Sequence, residues 1–368
     1  MAFAVVVAAI SAATVGAGAG IANAANTDPQ VPVGTTDGRL ALGNLSAEIE
    51  GLESKIVRNP TATGAAIRLG ELLIERGRFT GTIADYGQAE RIAVRLAAAY
   101  PKSAAVRLLL ARTHAVFHRF DSAAAEIKLA CSSGRVARVP CEALEASILE
   151  ARGEIEAARA LRRGERVGNP ASAGLAALAS LQAASGDWAG AAQLFARARD
   201  AYRGTSPFAL AAIHYEEGRM WVEAEELQRA RASLAHAVRL VPDYAPALGH
   251  LAEVEAELGD RARAIVILQK IASRSDDPDY AAQLARILVD AGRAAEAQPW
   301  KEQAEQRFER LMGKYPEAFA DHAAEFWLAA GANPARALEA ARFNQELRAT
   351  SRASELLARA ERCVAATP

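Results

Sequence analysis

Between Ala247 and Ile271 the apolar positions fall three and four residues apart. Leu248, Leu251 and Ala252 lie before Gly259-Asp260, and Ala264, Leu268 and Ile271 lie after it. That period is one face of an α-helix, so the stretch reads as two amphipathic helices joined by a bend. The break recurs as Gly77-Arg78, Gly153-Glu154, Gly186-Asp187, Gly259-Asp260 and Gly292-Arg293. Glycine adopts the left-handed conformation that closes a helix, and the polar residue beside it opens a turn. The pattern therefore predicts helical hairpins. No convincing strand-like alternation appears, and abundant Ala with 6% aromatic residues favours close-packed helices over sheets.

An alanine follows each bend, and together these form a ladder: Ala89, Ala123, Ala158, Ala191, Ala230, Ala264 and Ala297. Most steps are 33 to 35 residues. A small side chain there lets antiparallel helices approach, and each unit must repeat it to stack on the next. Pro101, Pro170, Pro242 and Pro316 punctuate the unit ends, where helix cannot continue. A period near 34 with two helices per unit is the mark of a solenoid.

The stretch "ALGHLAEVEAELGDRARAIVILQKI" resembles a tetratricopeptide repeat. So does "HYEEGRMWVEAEELQRARASLAHAVRLVP", through Gly218, Trp221, Ala230, Leu234, Ala237 and Pro242. Looser copies run from about Thr63 to Leu347, and the match is best over Leu175 to Leu288. The resemblance implies an all-α fold, a right-handed α-solenoid of about eight tandem antiparallel hairpins, acting as a non-enzymatic scaffold that binds a protein or peptide. The expected organisation is an export signal over 1–24, a disordered linker over 25–43 and a capping helix over 44–60. Repeats over 61–348 and a closing helix with its tail over 349–368 complete it. Ser46 is the candidate N-cap of the first helix, with Glu48 and Glu50 in its first turn. Two departures, "RFTGTIADYGQA" and the 39 residues from Ala191 to Ala230, predict longer loops or extended helices.

In solenoids of this kind the first helix of each pair lines a concave face. That register puts Leu108, Arg112, Ser147, Glu150, Ser180, Tyr215, Arg219, His250, Glu253, Arg286 and Asp290 on the wall. Arg112, Tyr215, Arg219, His250, Glu253, Arg286 and Asp290 are the candidate partner-binding residues. Cochaperones of this family that grip acidic tails use a clamp of Lys, Arg and Asn, which this register lacks.

Charge and composition narrow the reading further. A net charge of -1 gives no reason to expect nucleic acid as the ligand. The uncharged run "MAFAVVVAAISAATVGAGAGIANA" ends in Ala22-Asn23-Ala24, a cleavage pattern, which predicts export to a periplasmic or extracellular compartment. The Lys or Arg that ordinarily precedes such a run is missing. Left uncut, about twenty apolar residues can anchor a chain in a membrane. Cys131 and Cys141 flank a Gly- and Pro-containing loop, so a local disulfide is geometrically reasonable in an oxidising compartment, and Cys363 is the odd cysteine.

Candidate chemistry is sparse. His114 and His118 are four apart in "HAVFH", on one helical face, but the H-E-x-x-H form of a metalloprotease is absent. Asp321, His322 and Glu325 in "AFADHAAEFW" could hold a metal, yet such a run reads more simply as the wet face of a helix whose Phe326 and Trp327 fill the core. No nucleophile elbow, phosphate loop or dinucleotide fingerprint occurs, so no catalytic residue, metal or cofactor is expected. Alternatives to the scaffold are a structural subunit of a membrane-associated secretion or assembly apparatus and, more remotely, an envelope metal-handling protein. Oligomeric state and partner identity stay open.

Overall fold

A computed structural model describes residues 34–132, 138–164, 172–348 and 350–366. The export segment, residues 25–33 of the expected linker and Pro170 lie outside these residues. The described residues form eighteen helices and no strand. Helix α1 (Gly38–Arg58) precedes eight antiparallel hairpins. These are α2 (Thr63–Thr80) with α3 (Ile83–Ala99), α4 (Ala104–Val116) with α5 (Phe120–Cys131), and α6 (Arg138–Arg152) with α7 (Ile155–Gly164). Next come α8 (Ser172–Ala183) with α9 (Trp188–Asp200), and α10 (Pro207–Glu223) with α11 (Leu227–Leu240). The last three are α12 (Ala245–Glu257) with α13 (Arg261–Ala272), α14 (Pro278–Asp290) with α15 (Ala294–Lys314), and α16 (Pro316–Leu328) with α17 (Pro334–Leu347). Helix α18 (Ser351–Ala365) packs on the last hairpin.

Each hairpin turns on one left-handed residue. Gly81, Gly153, Gly186, Gly259 and Gly292 have φ between 66° and 97°, and the other three corners use His118, Glu225 and Ala332 at 56°, 59° and 49°. Gly77-Arg78 is therefore not a bend: α2 runs on to Thr80, and Gly81 closes it. Gly77 has a packing role instead, since a Cβ there would sit 2.8 Å from the Tyr86 ring. The alanine ladder lies wholly inside. Ala89, Ala123, Ala158, Ala191, Ala230 and Ala264 are fully buried, Ala297 nearly so, one on each second helix, and Ala337 extends the series into α17. Asp187 and Asp260, beside their corner glycines, accept from Gly190 N and Arg263 N and so cap the second helices. Proline opens α10, α14, α16 and α17, where its missing N–H has no helical partner to lose.

The first helix starts earlier than its sequence suggests. Asp37, not Ser46, is the cap, accepting from Arg39 N and Leu40 N at 3.0 Å, so residues 38–43 are helix rather than linker. The reason is tertiary. Thr36 N donates to the Thr205 carbonyl at 2.8 Å, and Gly38 lies so close to α11 that a Cβ would stand 2.1 Å from the Leu240 carbonyl oxygen. The two departures in repeat length appear as extended helices: α2, α3 and α10 span 18, 17 and 17 residues.

Contacts of this kind recur along the molecule, because the second turn of the superhelix rests on the first. Phe79 stacks on Phe208 at 4.5 Å and tilts against Tyr244 at 4.7 Å. The junction between the sixth and seventh hairpins meets the corner of the first: Ser275 Oγ donates to the Gly81 carbonyl, and the Asp276 carboxylate accepts from Ile83 N and Ala84 N at 2.5 and 2.9 Å. Asp276 thus caps α3, a task the side chain of Thr82 leaves undone. One hairpin further along, Phe117 lies flat on Tyr315 at 3.7 Å, Tyr315 donates to Glu90, and His118 Nδ1 is 3.3 Å from the Glu317 carbonyl. Phe79, Phe117 and Tyr244 are fully buried, so the seam between turns is sealed.

Candidate partner-binding surface

The first helices α10, α12 and α14 carry six of the seven candidate partner-binding residues, and the structure sorts these six into two groups. Tyr215, Arg219, His250 and Glu253 come together. The Tyr215 ring is fully buried, 5.1 Å from Tyr244 and 5.6 Å from His250, and its hydroxyl has no hydrogen-bond partner. Arg219 donates to Glu216 at 2.9 Å and to Glu223 at 3.3 Å. His250 Nδ1 lies 3.6 Å from Glu253 Oε2, and neither atom has a hydrogen-bond partner. Arg286 and Asp290 instead stand half-exposed on α14, facing each other at 3.7 Å. Arg112 is apart from both, buried on α4 and paired with Glu71 of α2 at 2.8 Å.

Burial sets the charge of this wall. Desolvation, with Arg219 nearby, holds the His250 pKa well below the usual imidazole value, so the ring is neutral. Desolvation pushes the Glu253 carboxyl up to about 7. Glu150 on α6 is likewise pushed up to about 7 by burial, against the lowering pull of Arg162, and within the field of Glu216 and Arg219. Burial disfavours the Arg219 cation, but Glu216 and its neighbours more than restore it, and its pKa rises. Glu216 was absent from the sequence expectation, although its spacing of three from Arg219 marks it as a same-face partner.

Beside this group lies a buried ionic strut. His322 Nδ1 contacts Asp279 of α14, and its Nε2 is 3.8 Å from Asp321, which in turn is 3.7 Å from Arg348. Arg348 also donates to the Glu317 carbonyl at 3.1 Å, the same carbonyl that His118 approaches. Asp321 and His322 are about 5% exposed, so "AFADHAAEFW" does not present them on a wet face. Burial would lower the His322 pKa, but Asp279 and Asp321 outweigh it and raise it, so the imidazole is charged. His118 is not on a helical face with His114, because α4 ends at Val116 and His118 is the left-handed corner. Among the described residues, no group of three or more His, Cys, Asp or Glu side chains is arranged to hold a metal ion. Cys131 and Cys141 are disulfide-bonded with their Cα atoms 6.3 Å apart, tying the end of α5 to the start of α6, and Cys363 is exposed on α18. No described helix is long and apolar enough to cross a membrane.

The fold and this wall can now be set beside known proteins. A tetratricopeptide repeat family model matches residues 222–287, from the end of α10 into α14. Over that span the hairpins match the tetratricopeptide repeat pattern. Human IFIT1, solved as a dimer with PPP-AAAA, is similar in structure at 14% identity and a TM-score of 0.50, over 86% of this chain and 78% of that one. A monomeric IFIT1 mutant with m7Gppp-AAAA is similar at 13% identity and 0.50, over 85% and 76%. PilF of Pseudomonas aeruginosa is similar at 17% identity and 0.39, over 58% and 93%. At these identities the likeness concerns the tetratricopeptide fold alone. No curated protein matches the chain.

Proposed function

We propose that this tetratricopeptide chain is a non-enzymatic interaction scaffold of the cell envelope that holds a protein or peptide segment against its inner wall. The observation that carries the reading is the group on α10 and α12. Tyr215, His250 and Glu253 each keep a buried polar atom without a hydrogen-bond partner among the described residues, a costly arrangement unless something else completes it. A neighbouring buried group forms a strut instead. Asp279, His322, Asp321 and Arg348 are engaged with one another, which suits rigidity better than turnover. The Cys131–Cys141 disulfide supports an oxidising compartment and hence export, in line with the uncharged N-terminal run. An oligonucleotide of the kind bound by IFIT1 is not the ligand proposed, because Arg219 on this wall is already paired with Glu216 and Glu223 and the chain has a net charge of -1.

The test is a pull-down from the native envelope fraction, comparing the full chain with one starting at Ala25 and identifying what co-purifies. A recurrent protein partner, lost when Arg219→Ala and Glu253→Gln are combined in a variant that melts normally, is the expected result. A partner retained by that variant would move the binding surface off the inner wall.

A further inference from the structure

Buried carboxylates in this molecule generally have partners. Asp85 takes two hydrogen bonds from Arg76, Glu217 pairs with Arg199, Glu255 with both Arg231 and Arg263, and Asp279 with His322. Glu253 is different. Among the described residues, the polar atom paired with its Oε2 is His250 Nδ1, which burial holds neutral, and Arg286 is turned toward Asp290. His250 is itself more than nine-tenths buried and keeps an unpartnered Nδ1 3.6 Å from Glu253 Oε2. With the proton on Nε2, these two atoms are a pair of acceptors converging on one point. A group that satisfies both must donate at least twice and should bring a positive charge to meet the carboxylate.

We propose that the segment held by the inner wall presents a lysine side chain whose ammonium is shared between Glu253 Oε2 and His250 Nδ1. The inference rests on the scaffold reading and gives its partner a chemistry: a basic segment, the reverse of the acidic tails that a Lys, Arg and Asn clamp receives. An ammonium has three donors in a compact head, which suits two acceptors 3.6 Å apart. Glu150, which has no ion pair among the described residues and lies within the field of Arg219, offers a second acidic station further along the wall. Arg219, already neutralised by Glu216 and Glu223, does not oppose a cationic guest strongly.

Fluorescence anisotropy on the full chain tests this, with three labelled peptides of alanine and lysine, alanine and acetyl-lysine, and alanine and glutamate, all blocked at both termini. The lysine peptide should bind, with affinity falling about tenfold or more in the acetyl-lysine peptide and in Glu253→Gln. Among the described residues the groups facing Glu253 are His250, Arg286, Asp279 and Glu325, and with its carboxyl ionising around 7 the lysine peptide should bind more tightly at pH 8 than at pH 6. The acetyl-lysine comparison needs no variant, so a misfolded Glu253→Gln cannot mask the result. Equal binding of lysine and acetyl-lysine peptides, preference for glutamate, or binding of none of the three overturns the lysine assignment. The scaffold reading stands or falls separately, on whether the envelope partner depends on Arg219 and Glu253.

Discussion

Glu225 stands exposed at φ 59°, at a corner where five other hairpins use glycine. A left-handed non-glycine residue costs about 1 to 2 kcal/mol, and glycine returns part of that as unfolded-state entropy. Glu225→Gly should therefore raise stability by up to about 1 kcal/mol in a urea melt. His118→Gly at the equivalent corner should lower it, because the ring meets Glu317 and stacks on Phe120. A second comparison separates packing from propensity. Gly38→Ala drives a methyl into the Leu240 carbonyl and should cost about 1 to 3 kcal/mol, whereas Gly43→Ala, exposed with nothing within 4 Å, should gain about 0.5 to 1 kcal/mol. These distinctions were hard to read from sequence. Gly77 and Gly259 look alike beside a charged residue, yet one packs under Tyr86 and the other turns a corner. The ladder alanines were legible because their period repeats. The chemistry of Glu253 and His250 was legible only as polarity, since the lack of partners depends on neighbouring helices.

At the level of elements, the hairpins answer to local rules and the joints between turns do not. The end of α1 before Pro60 follows from local sequence, but its start at Gly38 does not, because the Thr205 and Leu240 carbonyls that fix it are far along the chain. The same holds for α3, whose N-terminus is capped by Asp276. Asp276→Ala should cost about 1 to 2 kcal/mol, with faster hydrogen exchange concentrated at the Ile83 and Ala84 amides. Uniform loss of protection over the whole chain would argue against a local cap. The Cys131–Cys141 bridge joins neighbouring hairpins, so replacing both cysteines by serine should lower stability by about 2 to 4 kcal/mol under oxidising conditions and leave the reduced protein unaffected.

Across the whole molecule, histidines pull stability in opposite directions with pH. His118, His214 and His250 have pKa values depressed chiefly by burial, that of His214 to about 4. Their contribution is complete above the unfolded value near 6.5 and is lost as pH falls toward the folded values. His322 is raised by Asp279 and Asp321, so its contribution is complete below about 6.5 and fades as pH rises through its folded value. The destabilisation caused by His322→Gln, measured by chemical melts, should accordingly be larger at pH 6 than at pH 9. A difference independent of pH would mean that the imidazole carries no charge in the folded protein.

A row of hairpins that touch only their neighbours can be lengthened by gene duplication, since each new copy finds the surface its predecessor found. This chain has given up that freedom over part of its length. Phe79 must meet Phe208 and Tyr244, Asp276 must meet the start of α3, and Phe117 must meet Tyr315. One hairpin added or deleted between the second and the fifth would move every one of these residues a full unit out of place. The count of repeats over that span is thereby inherited as strictly as any side chain.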